Sequence, residues 1–501
     1  MKKKIIALLS VCCMACCALA VACKDPVPTV SLDQTAATLW ESEKVTLQAT
    51  TKNFKGEITW ESADKNIATV KVDKADNNKA IVTAVSAGTT VITAIINEKT
   101  KAEFTVECKA PNEIEEVLVI DESAMTGENY VVSVPSDISV ESITDIKYAG
   151  DALTIVSKDA ATNTVTVSDG SFEYGEGEVF VKTTDNAYAT ELVYATMAID
   201  DKADFQAFLN NYTLWSPDDY IILTNNVDME GEDITQITGY PGGGQWQATL
   251  DGRGYAIANV QYTHGFFTVI SSGTVQNLAI VNPIKKTNGG GLVANEFRGT
   301  IQNVFVYGNL TAKGQGAMVM TAYSGTIENC FAIVENADGA TGGYAMINGQ
   351  ANGTYSNNWA ISATRTDGMY VGFKDASGIT PIEEDKDHLF ASIAAFKAAA
   401  DKDLSAFEEG FWVLKDGVPF MKNANGVLRF TVAGDTLSNG TEVAANLNNA
   451  VVTIKTAVAG VSYADGKITV ADTVAAGTKV TLVAATPDNL FKVEKEFTIA
   501  K

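Results

Sequence analysis

The sequence predicts an all-β chain, with β-sandwiches in its N-terminal part, a central right-handed parallel β-helix with helical caps, and a small C-terminal β domain. Three observations predict this. The pentapeptide Gly273-Thr274-Val275-Gln276-Asn277 returns as Gly299-Thr300-Ile301-Gln302-Asn303 and as Gly325-Thr326-Ile327-Glu328-Asn329, with a looser copy at Gly353-Thr354-Tyr355-Ser356-Asn357. The offsets are 26, 26 and 28 residues, a period in the range of solenoids. Each copy runs into a short apolar segment, such as Leu278-Ala279-Ile280 or Val304-Phe305-Val306. Elsewhere apolar and polar residues alternate with the period of half-buried strands.

Stacked coils place equivalent residues about 4.8 Å apart, so repeated residues form columns. Val275, Ile301, Ile327 and Tyr355 make one apolar column. Leu278, Val304 and Cys330 make a second, and Ile280, Val306, Ala332 and Ala360 a third. Asn277, Asn303 and Asn329 fall at a fixed bend. Asn tolerates left-handed geometry there, and its amide can bond to the Asn of the next coil. Asn303 is then the middle of a ladder, whereas Asn282 stands outside the repeated pentapeptide. Gly at the head of each copy permits the other bend.

The first 23 residues are read as a targeting segment. Lys2, Lys3 and Lys4 precede an apolar run from Ile5 to Ala22, the layout of a secretory signal. Its end, Leu19-Ala20-Val21-Ala22-Cys23, resembles the lipobox of bacterial lipoproteins. That resemblance implies diacylation of Cys23 and a cell-envelope location, with the chain lipid-anchored to a bacterial membrane and exposed at the surface. Five of the seven cysteines lie in or at the end of this segment, leaving Cys108 and Cys330, which fall in different domains and make no disulfide framework.

The formal net charge is −24, and the three lysines of the targeting segment have no acids beside them, so removing it leaves −27. No basic face compensates, which argues against nucleic acid as a partner. A solvated acidic surface accounts for the charge.

Residues 27–110 show short alternating strands at the spacing of a β-sandwich. The stretches Ile58-Thr59-Trp60-Glu61-Ser62-Ala63-Asp64, Ile67-Ala68-Thr69-Val70 and Ala87-Gly88-Thr89-Thr90-Val91-Ile92-Thr93-Ala94 carry a resemblance to the bacterial Ig-like domain of group 2. This implies Trp60 in the core, Gly88 at the turn before the penultimate strand, and a spacer or adhesion module with no catalytic residues. Residues 112–199 alternate again and are expected to form a second sandwich. Residues 200–425 form the capped β-helix. Asp200 and Asp201 look like N-caps of a helix burying Phe205, Phe208 and Leu209, which plugs one end of the helix. Tyr220-Ile221-Ile222-Leu223 is the first coil. Residues 387–408 are expected to form a helical lid on the other end, and residues 426–501 a last small β-sandwich. Gly290-Gly291-Leu292-Val293-Ala294, Leu250-Asp251-Gly252-Arg253-Gly254 and Gly265-Phe266-Phe267 resemble the GLUG-type repeats of bacterial surface proteins. That likeness implies a fold and a surface location but no particular chemistry.

The residues offer little catalytic material. The two histidines, His264 and His388, are too few for a His-rich zinc site or for most nucleophilic triads. A glycosidase dyad needs paired acids on neighbouring coils. Glu328 has Gln276, Gln302 and Ser356 in its column, and Glu296, Glu335, Asp338 and Asp367 lie in loops without readable pairing. Asp218-Asp219 and Glu383-Glu384-Asp385 match no calcium loop, and Gly242-Gly243-Gly244 does not lead from a strand into a helix as a phosphate loop does. No catalytic residue, metal ligand or cofactor is assigned.

One column offers a binding surface. If Leu278 and Ile280 point inward, the residues between them point outward, and that column reads Ala279, Phe305, Phe331, Trp359. Three stacked rings could bind sugar through their faces, or could pack under a loop. Phe305, Phe331 and Trp359 are therefore the candidate ligand-binding residues. The reading is a non-catalytic cell-surface lipoprotein, for adhesion or glycan binding through a β-helix on an Ig-like stalk, its partner a glycan or host surface. The alternatives are a β-helical polysaccharide lyase or glycoside hydrolase, and a structural envelope spacer.

Overall fold

The structure is a computed structural model that describes residues 26–125, 129–168, 172–211, 214–234, 245–263, 265–285, 290–310, 315–349, 351–370, 386–400, 402–447 and 449–500. The targeting segment with Cys23, Gly242-Gly243-Gly244, His264 and Glu383-Glu384-Asp385 lie outside them. The chain is all-β and divides into two compact units. One comprises Met1–Leu118, Val132–Gly170 and Glu176–Leu192, the other Val119–Val131, Ser171–Gly175 and Val193–Lys501. The division runs through the segment expected to be a second sandwich.

In the first unit, two four-stranded sheets face each other. One orders Thr29–Leu32, Lys44–Lys52, Lys79–Ala84 and Ala68–Val72; the other orders Ala36–Trp40, Thr100–Lys109, Gly88–Asn97 and Thr59–Ser62. Alternation decides which side chains meet between them, and Leu47, Trp60, Val82, Ile92, Phe104 and Val106 form the core. Gly88 has φ +147°, and a Cβ there would come within 2.8 Å of Ile67 Cδ1. The unit also contains antiparallel pairs made by Ile143–Tyr148 with Gly175–Thr183 and by Thr154–Asp159 with Thr164–Ser168.

The second unit holds a β-solenoid of about six turns. Its main sheet stacks Met197–Ile199, Tyr220–Leu223, Thr249–Asp251, Thr274–Val281, Thr300–Leu310, Phe331–Asn336, Trp359–Ile361 and Leu389–Phe390, all parallel. It begins at Met197, one strand before the expected first coil. A second parallel sheet runs from Gln245–Trp246 to Gly368–Tyr370. The register pairs Val275 with Ile301, Ile301 with Ile327 and Ile327 with Tyr355, as the repeat offsets require.

The bends show why the repeat has its sequence. Asn277, Asn303, Asn329 and Asn357 all have φ of 50–52°. Asn303 Nδ2 donates to Asn277 Oδ1 at 2.9 Å, and Asn357 Nδ2 to Asn329 Oδ1 at 2.9 Å. The repeated glycines answer mainly to a close approach. A Cβ on Gly299 would sit 2.1 Å from Gly273 O, and one on Gly325 2.4 Å from Gly299 O.

The ladder ends on a carboxylate. Asp251 Oδ1 accepts from Asn277 Nδ2 (3.0 Å) and the Arg253 N–H (2.8 Å), and Oδ2 from Gln276 Nε2 (2.8 Å) and the Tyr220 hydroxyl (2.8 Å). An ionised carboxylate only accepts, so each amide above it must point its N–H toward it. Gln302 Nε2 accordingly donates to Gln276 Oε1 at 2.7 Å. Asn282 corrects an expectation, because it belongs to a second ladder at another bend. Its amide donates to Asn259 Oδ1 at 2.5 Å, and Asn259 Nδ2 to Asp228 Oδ1 at 2.8 Å. Asn282 and Asn259 have φ of 49° and 53°.

Helix α1, Lys202–Asn210, is capped by Asp201, whose Oδ1 accepts from the N–H groups of Ala203 (2.7 Å) and Asp204 (3.0 Å). Phe205, Phe208 and Leu209 are buried in the solenoid core with Trp246 and Phe266. The expected second lid is different. Leu389–Phe390 adds a strand to the main sheet, and α2 is only Ile393–Ala398. Phe396 of α2 packs on Phe331, centroids 5.3 Å apart, so this segment covers the outer flank of the sheet. An apolar outer column needs a cover, and α2 with Phe407 supplies part of it.

The last residues form a sheet ordered Thr436–Leu437, Lys492–Ile499, Lys479–Ala485, Val451–Ile454, with a hairpin of Val461–Ala464 and Lys467–Val470. Asp465 and Gly466 turn that hairpin with φ of 51° and 77°, the left-handed pair that a two-residue hairpin loop requires.

Replacing Asp251 by Ala removes the acceptor of four hydrogen bonds, two of them buried, whereas Asn303→Ala removes the donor of one, and an orphaned buried donor costs about 1–3 kcal/mol. Urea unfolding of the full chain should therefore rank Asp251→Ala as the more destabilised. The opposite order would mean that the ladder polarity is not set by Asp251.

Candidate functional site

The predicted binding column exists in register but not at the surface. Ala279 pairs with Phe305, Phe305 with Phe331, and Phe331 with Trp359. Phe305 and Phe331 are fully buried and Trp359 is 5% exposed. Phe305 packs against Phe420 at 5.5 Å and Trp412 at 6.4 Å. Phe331 packs against Phe396 and Phe407, and Trp359 stacks on the His388 ring at 3.9 Å. Trp359 Nε1 donates to Asn357 Oδ1 at 2.8 Å. The expectation of an open aromatic strip is corrected: the strip is the interface on which residues 386–427 fold down. The final β domain joins the same cluster through Phe491, 5.0 Å from Tyr307 and 5.1 Å from Phe420.

Four of the carboxylates weighed for catalysis, Glu296, Glu335, Asp338 and Asp367, have structural partners. Glu335 accepts from the N–H groups of Ala363 (2.7 Å) and Thr364 (2.9 Å) and from the Ser362 and Thr364 hydroxyls, so it shapes a turn. Asp338 accepts from the Ala340 N–H and Asp367 from the Gly343 N–H. Both bear on the buried Arg365, whose pKa is pulled down to about 10 by burial, against the pull of Asp338, Asp367 and Glu335. Glu296 lies 3.8 Å from Arg298. Asp219 accepts from the N–H and hydroxyl of Ser216. Burial pushes the Cys330 thiol up to about 12 and raises Cys108, so neither is a thiolate at neutral pH. Among the described residues, no three His, Cys, Asp or Glu side chains come together as a metal site.

A polar cleft of about 410 Å³ opens between the solenoid and the final β domain, lined by Asp228, Glu230, Asn259, Ile284, Arg429, Thr431 and Asn446 among others. Asp228, at the end of the second Asn ladder, forms its floor. Its Oδ2 accepts from Asn446 Nδ2 at 2.8 Å and Arg429 Nη2 at 2.9 Å, and its Oδ1 from the Glu230 N–H at 2.9 Å. Burial pushes this carboxyl up, but Asn259, Asn446, the Glu230 N–H and the Arg429 charge together outweigh it and hold the pKa below the usual carboxylate range. Its contribution to docking is thus present above that range and is lost as pH falls through the depressed value. Arg429 is half-exposed and also reaches Glu230 at 3.4 Å, while Lys202 pairs with Glu230 and Glu232 from the other side. The sequence signal for this cleft is faint. Asp228 and Arg429 are 201 residues apart, and nothing local to either marks the pairing.

Comparison with known families matches residues 26–106 to the bacterial Ig-like domain (group 2). That segment is a bacterial Ig-like domain. No curated protein matches the chain. Among solved structures, similarity is found to domains 4 and 5 of the S-layer protein SbsC, at 26% identity over 17% of this chain and 53% of that one, with a TM-score of 0.16. The chain thus spans about half the length of that structure. Similarity is also found to the mixed-linkage glucan utilization locus protein SGBP-B of Bacteroides ovatus (15% identity, 35% of this chain and 49% of that one, TM-score 0.13). A further match is to the fibronectin(III)-like modules of CbhA from Clostridium thermocellum (14% identity, 33% and 94%, TM-score 0.17). These alignments are too partial to bear on the solenoid.

The packing of the aromatic column predicts a structural phenotype. Trp359→Ala should lower unfolding free energy by about 3–5 kcal/mol, as large-to-small core changes do. Chemical denaturation checks this, and a wild-type midpoint would mean that Trp359 is not part of the core.

Proposed function

We propose that this chain is a non-catalytic cell-surface protein, tethered to a bacterial membrane by a diacylated Cys23, that binds glycan in the cleft at Asp228 and Arg429. The tether is supported by the basic start, the apolar run and the small residues before Cys23. Two acyl chains provide stable attachment. The Ig-like domain that follows suits display of the solenoid away from the anchor.

The observation that carries the binding role is the make-up of the cleft. Its volume lies within the range of small-ligand pockets, and its lining combines carboxylate, carboxamide, guanidinium and hydroxyl groups. Such planar groups suit the vicinal hydroxyls of a sugar, which both donate and accept. Among the described residues Arg429 engages its neighbours through Nη2, and a guanidinium carries five N–H donors in all. The acids here are paired with Arg429 and Lys202, so a neutral saccharide meets little unbalanced charge. With Glu335, Asp338 and Asp367 bound into turns and Glu296 beside Arg298, binding fits the geometry better than hydrolysis or elimination does.

Calorimetry with neutral oligosaccharides selected on a glycan array tests the reading. Arg429→Ala should weaken binding about tenfold, a loss typical of one energetically dominant side chain. Release of reducing ends from a bound polysaccharide would overturn the non-catalytic assignment. An unmodified Cys23 in the mass spectrum of the native N-terminus would overturn the tether.

A further inference from the structure

Three chain segments far apart in sequence bring aromatic rings together in the second unit. Tyr130 and Phe172 meet edge to face with centroids 4.6 Å apart, and Tyr174 stacks on Tyr194 at 4.7 Å with an interplanar angle of 24°. Tyr130 also meets Tyr194 edge-on at 5.9 Å. Tyr194 is only 9% exposed, whereas Tyr174 is 42% exposed. Tyr174 is thus stacked on a buried ring and still keeps substantial exposure.

A carboxylate stands beside that ring. The Tyr174 hydroxyl donates to Glu122 Oε2. Glu122 opens a short turn, Glu122–Ala124, fixed by Asp121, whose Oδ1 accepts from the Ser123 N–H at 2.9 Å and from the Ser123 hydroxyl at 2.7 Å. The turn is tied to the solenoid as well. The Ser123 N–H donates to Thr196 O at 3.2 Å, and the Thr196 N–H donates to Tyr220 O on the main sheet at 2.8 Å. Burial, then the Glu122 carboxylate, raise the Tyr174 phenol, and the same causes raise Tyr194 further, so both hydroxyls stay protonated donors.

We propose that Tyr174, backed by Tyr194 and flanked by Glu122, is a platform on which the apolar face of a neutral pyranose stacks. An aromatic face is negative, and the axial C–H bonds of an all-equatorial sugar offer it a weakly positive, apolar surface. Glu122 then accepts from an equatorial hydroxyl at the ring edge. An aromatic ring and a carboxylate at one place satisfy both halves of such a ligand, its apolar face and its hydroxyl rim. Rigid backing by Tyr194 and the tied Glu122 turn keep the ordering cost of binding low. This platform shares its ligand class with the cleft reading and rests on it for that class, but it uses none of the cleft's residues.

The test titrates cellotetraose and laminaritetraose, both neutral and β-linked, into the full chain and into Tyr174→Ala, Tyr174→Leu, Glu122→Gln and Arg429→Ala. Tyr174→Ala and Tyr174→Leu should each weaken binding by about tenfold, because both remove the flat ring while Leu keeps apolar bulk. Glu122→Gln should weaken it less. Unfolding midpoints monitor the fold, and Tyr174→Leu decides the matter where Tyr174→Ala lowers the midpoint. Wild-type affinity in Tyr174→Leu with loss in Arg429→Ala overturns the platform and leaves the cleft. Failure of the wild type to bind either tetrasaccharide overturns the platform, and failure on the whole neutral array overturns the cleft too.

Discussion

The main sheet of the solenoid is apolar on both faces, and most of the second unit follows from that. Its inward residues, such as Val275, Leu278, Ile280, Val304 and Val306, fill the solenoid. Its outward residues, Ala256, Ala258, Ala279, Val281, Phe305, Tyr307, Phe331, Trp359 and Ile361, form a second cluster with residues from later in the chain. Strands buried on both faces read as continuous apolar runs, and Leu278-Ala279-Ile280-Val281 is one. Left bare, the outer face would be a large apolar patch of the kind that drives association. The chain covers it with its own continuation: α2, the hairpin of Trp412–Lys415 and Val418–Met421, and the last β domain. Asn226 and Asn423 fix this cover at the other end of the sheet, where Asn226 Nδ2 donates to Asn423 O and Asn423 Nδ2 donates to Arg253 O, both at 2.8 Å.

Polar order accompanies the apolar order. Two amide ladders run down two bends, and each ends on an aspartate that can only accept. Asp251 closes one ladder inside the solenoid. Asp228 closes the other where Asn446 and Arg429 of the final domain reach it. The end of a structural ladder is thereby also the floor of the cleft, which explains why that cleft is polar next to so apolar an interface.

Much of the solenoid was legible because its period is translational. An offset of 26 residues places Val275 against Ile301 whatever the loops do, and among the repeated residues that carry a side chain only Asn tolerates φ near 50° at low cost. The N-terminal sandwich was legible through alternation and Trp60. The sites were not. Alternation told that Phe305, Phe331 and Trp359 face away from the solenoid interior, but outward from a coil is not outward to water, and only the later chain decides which. Asn282 was misplaced because its partner Asn259 lies 23 residues away and outside the pentapeptide. Tyr130, Phe172, Tyr174 and Tyr194 come from three segments with no shared period, so no pattern in the sequence joins them. The α2 segment has helical composition, yet six residues are too few to close a solenoid end, and its Phe396 is drawn to the nearer apolar face.

If the doubly buried sheet governs this unit, the last β domain and the solenoid flank protect one another. Amide hydrogen exchange on the full chain tests this most directly, comparing wild type with Phe491→Ala, a substitution that lies in the final domain. Exchange should become faster in Thr300–Leu310, the solenoid strand that carries Tyr307, as well as in Lys479–Ala485 and Lys492–Ile499. Faster exchange confined to the final domain, with Thr300–Leu310 protected as in the wild type, would contradict it.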